Sequence, residues 1–327
     1  MRSTKLLSLT RRLFGFDPVA VPPHVFALDA NSLRYGRFVR QGSQVELEDF
    51  YSAEIESDLF ASGPLGGAMH DPEMLRSLLT ALQESQEEPI TAASMVLPDA
   101  WLRLAFVEAE DLPRSSSAQE EILRWKLQRI VPFRVEELRV AGIGAAEIPN
   151  NGSTRRLLIG FALEGLLSQL ETAFAARGIR LGLIINESLS FLSAARDALR
   201  DVELGAVVLV GKTGYSLMFV LRGEPILQRF KALPQLTDDE PSARLVERDL
   251  RLTEIFLREQ LIDTPLGRVL LISPPEIEDR WLTWLPEAFE QPAHALRAQH
   301  LALTTTSASP PIHELGSLFG AARMEIQ

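Results

Sequence analysis

The sequence predicts an α/β fold of two lobes, each built on the plan β-β-β-helix-strand-helix. Three observations predict it. At 327 residues the chain is long for one core, so two lobes are expected. A hydrophobic content of 46% with 24% charged residues supplies apolar material for a core in each. The same order of strand-like and helix-like runs also occurs twice, a repeat of architecture without a repeat of sequence.

Residues 1–23 stand apart from this plan. Leu6, Leu9, Leu13 and Phe14 have helical spacing, and Arg2, Lys5, Arg11 and Arg12 make the segment basic. A membrane-surface or partner-binding helix is the functional reading, and a frayed terminus the bland one. "FDPVAVPP" (16–23) is a proline-rich tether.

The first lobe is assigned to residues 24–203. "HVFALDA", "LRYGRFVRQG" and "QVELEDFYSAEI" read as an antiparallel meander. "DPEMLRSLLTALQESQ" is a helix with Asp71 as N-cap and Pro72 at its first position. Two strands follow, "ITAASMVLPD" and "WLRLAFVEAEDLP". "SSSAQEEILRWKLQRIVPF" (115–133) reads as a helix with serine caps that stops at Pro132. Its Ile122, Trp125 and Ile130, with Phe133 beyond, are expected to form a core stripe. A hairpin turns at Asn151-Gly152, and Gly178 closes the helix "EGLLSQLETAFAARGIR". "LGLIINESLSFLSAARDAL" is a strand running into a helix.

The second lobe is assigned to residues 204–327. "GAVVLVG", "GYSLMFVLRG" and "EPILQRFKALP" form another meander, and "SARLVERDLRLTEIFLREQ" a long helix. "GRVLLISP" is a strand and "EIEDRWLTWLPEAF" a helix. "IHELGSLFGAARME" is a closing helix expected to pack back on the first lobe.

Composition excludes several functions. A net charge of −11 argues against nucleic acid as a partner. The absence of cysteine removes disulfides and thiolate chemistry, and suits a reducing cytoplasm. No apolar run approaches the ~20 residues that cross a bilayer, so a soluble, cytoplasmic chain is expected. The five histidines are scattered without metal-ligand spacing. Paired acids such as Glu120-Glu121 and Glu136-Glu137 sit at helix starts or loops, where solvated roles outweigh acid–base work.

Gly211-Lys212-Thr213 follows an apolar run and suggests a phosphate-binding loop. The context is wrong for one. Five residues separate Gly205 from Gly211, one too many, and a strand rather than a helix follows. It reads as a hairpin tip.

A hairpin tip can hold phosphate in another setting. The doubled plan resembles the actin-like (ribonuclease H-like) two-lobed fold, whose first hairpins face a nucleotide from opposite sides. "LIINESLSFLSAA" is similar to the segment that links the lobes in its chaperone ATPases. Within that superfamily the chain resembles the PilM family of type IV pilus assembly and the related GspL cytoplasmic domain of type II secretion. "LLSLTRRLFGF" before "HVFALDANSLRYGRF", "EEILRWKLQRIVPFRVEELRVAG", "INESLSFLSAARDAL" and "LGSLFGAARMEI" carry the resemblance, in order along nearly the whole chain.

The resemblance implies a nucleotide site at Asp29, Asn31, Ser32, Glu187, Gly211, Lys212 and Thr213, holding ATP with magnesium. Departures from the family pattern argue against both cofactors. Asp-x-Gly-Ser/Thr becomes Asp29-Ala30-Asn31-Ser32, with Asn31 expected to adopt the left-handed geometry of the lost glycine. The second hairpin lacks the carboxylate that would hold magnesium. Lys212 stands there as a possible phosphate charge, and Pro274-Pro275 replaces an adenine-binding Gly-Gly turn.

The resemblance further implies a small inserted subdomain, placed at about 97–143. It would groove the surface for the N-terminal tail of a PilN-like bitopic inner-membrane protein, with Trp125 and Phe133 as contact candidates. A non-enzymatic scaffold peripheral to the inner membrane is therefore expected. The alternatives are a PilM-type ATPase and a small-molecule kinase of the same superfamily, whose catalytic base is not evident.

Overall fold

The computed structural model of the protein describes residues 21–29, 31–41, 44–55, 59–60, 65, 69–108, 113, 115–148, 154–211, 214–233, 240–301, 303–305 and 310–324. Two large sheets are built alike. In the first, β1 (His24–Leu28), β2 (Ser32–Gln41) and β3 (Gln44–Glu54) form an antiparallel meander. β4 (Ala92–Leu97) adds parallel to β1, and β8 (Arg180–Asn186) parallel to β4. In the second, β9 (Leu204–Gly211), β10 (Gly214–Leu221) and β11 (Glu224–Ala232) form the meander. β12 (Arg268–Ile272) and β13 (Ala293–Ala295) extend it in parallel. The two strand orders, β3-β2-β1-β4-β8 and β11-β10-β9-β12-β13, are the same. This is the mixed α/β architecture of the actin-like fold.

The helices occupy matching places. α1 (Pro72–Ser85) precedes β4, and α5 (Glu240–Phe256) precedes β12. α3 (Glu164–Ala175) precedes β8, and α6 (Pro275–Phe289) precedes β13. α4 (Glu187–Ala195) follows the first sheet, and α7 (Ile312–Arg323) lies against it, on β1, β2 and β4. Local chemistry sets several boundaries. The Asp71 carboxylate accepts from the amides of Glu73 (3.0 Å) and Met74 (3.3 Å), starting α1 ahead of Pro72. Gly178 takes the left-handed conformation, φ 73°, just beyond α3.

Strand alternation joins the lobes. Val207 and Leu209 of β9 belong to a core shared with Phe191 of α4 and Phe319 of α7. Leu204, Ala206, Val208 and Val210, on the other face, pack with Val246 and Leu250 of α5 and Trp281 of α6. Both faces of β9 are covered, which is why "LGAVVLVG" is apolar without interruption.

Between β4 and α3 the first lobe carries an insert. β5 (Arg103–Glu108), β7 (Thr154–Leu163) and β6 (Leu138–Ile148) form a three-stranded sheet with β7 central, backed by α2 (Ser116–Leu127). This small sheet continues past the expected boundary near 143 as far as Leu163, because β7 returns between β5 and β6.

Other expectations need correction. α2 ends at Leu127, five residues before Pro132, and turns through Gln128–Val131. The side chain of its N-cap Ser115 bonds no backbone amide; its hydroxyl lies 3.0 Å from that of Ser117. The buried stripe of α2 is Gln119, Leu123 and Leu127, at i, i+4 and i+8. Trp125 and Ile130 are 52% and 54% exposed instead of forming core. β13 and β14 (Leu303–Thr305) are too short to show a period, and β14 carries the chain back to pair in parallel with β3.

Candidate functional site

The turn between β1 and β2 presents Asp29. Its Oδ1 accepts from the amides of Asn31 and Ser32, each at 2.8 Å, and its Oδ2 accepts from the Ser32 hydroxyl at 2.7 Å. Carboxylate bonding to amides two and three residues on is how an Asp stabilises a tight turn. It removes the need for a left-handed residue. Among the described residues only Arg222 and Glu290 combine a side chain beyond glycine with positive φ, so Asn31 does not take the conformation expected of it.

Ser32 and Arg34 alternate onto the same face of β2. The Arg34 guanidinium, almost fully buried, lies 3.5 Å from Asp29 Oδ2 and 3.6 Å from Glu187 Oε1. It also donates to the carbonyls of His313 (3.2 Å) and Glu314 (3.0 Å) in the first turn of α7. One arginine therefore ties the first hairpin, the start of α4 and the start of α7. Sequence reasoning did not single it out. Arg37 pairs with Glu48 at 2.8 Å, between β2 and β3. The two-residue period counted from Ser32 is the signal that would have found Arg34.

Glu187 opens α4, behind its N-cap Asn186, whose side chain accepts from the Leu189 amide. Burial pushes the Glu187 carboxyl up to about 7, against the pull of Arg34 and with help from Asp99 and Asp29. Its side chain as a whole is 22% exposed.

Asp99, just past the C-terminal end of β4, is the second residue that sequence reasoning missed. It is 3% exposed. Asn186 Nδ2 donates to it at 2.6 Å and the Ser188 amide at 3.1 Å. The hydroxyls of Ser188 and of Ser216 on β10 also donate. Burial raises its proton affinity while these bonds lower it, with a net shift upward. Because Ser216 belongs to the second sheet, Asp99 links the two lobes. It stands just beyond the carboxyl end of a parallel strand, but its partners are too distant in sequence for the sequence to mark it.

Of the remaining sequence-derived candidates, Gly211 pairs with Gly214 across the β9–β10 ladder, a strand-turn-strand arrangement. Lys212 and Thr213 lie outside the described residues. Trp125 and Phe133 lie on the insert, away from these carboxylates in sequence. Arg129 stacks over the exposed Trp125 ring at 4.1 Å. Phe133 is half-buried and packs on the insert's core, with Arg103 5.6 Å from its ring centre.

No protein-family model matches the sequence, and no curated protein matches it either. Solved structures do. A chain of the PilM-PilN type IV pilus biogenesis complex superposes with a TM-score of 0.73 at 16% identity, over 93% of this chain and 97% of that one. A Bacteroides thetaiotaomicron protein with an actin-like ATPase fold and unknown function gives 0.51 at 10% identity, over 86% and 93%. The cytoplasmic domain of EpsL, an inner membrane component of the Vibrio cholerae type II secretion system, gives 0.48 at 11% identity, over 91% and 93%. The chain has the actin-like ATPase fold and matches a chain of the PilM-PilN complex in structure over 93% of its length.

Proposed function

We propose that the protein is a binding scaffold of a type IV pilus or type II secretion-like platform, at the cytoplasmic face of the inner membrane. Its partner is the N-terminal tail of a bitopic membrane protein of the PilN kind. The observation that carries this reading is the match to the PilM-PilN complex, which extends over 93% of the chain. The insert, with Trp125 exposed on α2, is the proposed docking region, because an exposed aromatic ring can anchor a peptide.

The bonding of the three carboxylates favours a binding role. A magnesium ion needs free carboxylate and phosphate oxygens in octahedral geometry. Asp29 spends both oxygens on its own turn, Glu187 carries a raised pKa, and Asp99 is saturated by four donors. A guanidinium stands between Asp29 and Glu187. This donor set fits Arg34 and does not fit magnesium, so the nucleotide site is read as degenerate and no hydrolytic step is assigned.

Site-specific photocrosslinking tests the reading. A photoreactive amino acid placed at Trp125 in the native host should capture one bitopic inner-membrane protein through its N-terminal tail. The same probe at Arg177, an exposed residue beyond α3, should not. Capture of no membrane protein at Trp125, with the chain folded and abundant, would refute this docking region.

A further inference from the structure

The Arg34 guanidinium stands inside a cage of oxygens. Its Nη1 donates to the carbonyls of His313 at 3.2 Å and Glu314 at 3.0 Å, at the start of α7. Its Nη2 lies 3.5 Å from Asp29 Oδ2, in the turn after β1, and 3.6 Å from Glu187 Oε1, at the start of α4. Two carboxylate and two carbonyl oxygens from three elements thus converge on one side chain that is 8% exposed. A charge so far removed from water needs such compensation. The planar fork of an arginine spans these oxygens, where a lysine ammonium would meet them at one point.

We propose that Arg34 is a built-in cation, which joins the first hairpin, α4 and α7 in the way a bound hard metal ion joins oxygen ligands. The set around it is all oxygen, the preference of calcium and magnesium. Carboxylates mixed with main-chain carbonyls suit calcium, which takes both in flexible geometry. Magnesium demands a strict octahedron and keeps its waters. Asp29 Oδ2 can serve although the Ser32 hydroxyl donates to it, because a carboxylate oxygen accepts twice. An arginine stays charged across the physiological pH range. The joint therefore neither waits for an ion nor releases with one. This inference rests on the reading of the nucleotide site as degenerate and is independent of tail binding at Trp125.

Removing the guanidinium is the test, because it should leave a cage that a calcium ion fills. Chemical denaturation of the full chain is followed at pH 8, above the value of about 7 to which the Glu187 carboxyl is pushed. About 10 mM calcium chloride is compared with sodium chloride of equal ionic strength. The wild type should show no difference. Arg34→Ala should be destabilised in sodium chloride and regain about tenfold in its folding equilibrium with calcium, for a millimolar dissociation constant. Arg34→Gln, nearer in volume, carries the same expectation should the alanine variant not fold. Arg34→Lys keeps a charge in the cage and should gain nothing from calcium. Adding Glu187→Gln to Arg34→Ala should abolish the gain. Absence of a calcium gain in both Arg34→Ala and Arg34→Gln would overturn the proposal, as would a gain that survives Glu187→Gln. A wild type stabilised by calcium or magnesium would overturn it together with the degenerate reading of the nucleotide site.

Discussion

At Glu187 the folded protein raises a carboxyl from 4.5 to about 7. The folded state then holds a proton that the unfolded chain releases, so stability is greatest below the unfolded value and falls as pH rises through the folded one. The difference amounts to roughly 3 kcal/mol at most. Asp99, also shifted upward, acts in the same sense. Glu187→Gln should therefore raise the melting temperature at pH 8 and change it little at pH 5, as thermal denaturation across that range would show. Arg34→Ala should cost about 2 kcal/mol, less than a fully buried pair because Asp29 keeps 38% exposure. Trp125→Ala should leave stability within about 0.5 kcal/mol while weakening tail binding. Asp29 and Ser32 drew notice only as nucleotide candidates through the family resemblance; their bonding within the turn is local Asx chemistry that the reading did not use. Asp99 was not legible in the sequence: its meaning comes from Ser188 and Ser216, 89 and 117 residues away.

Packing between α4 and α7 rests on small residues. A Cβ added at Gly320 would lie 1.8 Å from the Ser190 carbonyl oxygen, and one at Gly316 2.3 Å from the Phe191 ring. The Ser190 hydroxyl donates to the Ser317 carbonyl across the same contact. Gly320→Val should therefore push the helices apart and cost about 3 kcal/mol by chemical denaturation. Gly165→Ala in α3, where an added Cβ meets nothing within 4 Å, should be neutral or slightly stabilising. Element identity was legible in the uninterrupted apolar run of β9 and in the alternation that opens β3. At α2 the helix was legible but its buried face was not: Leu123 and Leu127 pack with the small sheet, offset from the stripe expected through Ile122 and Trp125. There an exposed tryptophan breaks the rule that aromatic rings are buried.

The two sheets share one strand order, and the core crosses between them through α4 and α7. This duplication was readable from element order alone, because each meander-helix-strand-helix unit repeats the same demands on periodicity. The return of the chain through β14 to the first sheet was not, since a three-residue parallel edge strand leaves no pattern. At this scale the central claim is that the lobes are joined by the chain's own contacts, the Asp99–Ser216 bond and the core shared through α4 and α7, with no nucleotide needed between them. Calorimetric titration of the full chain with Mg-ATP, beside Asp29→Ala, tests it most directly. The expected result is no binding through the millimolar range for either protein. Micromolar binding by the wild type, abolished in Asp29→Ala, would contradict the claim and make the cleft a working nucleotide site.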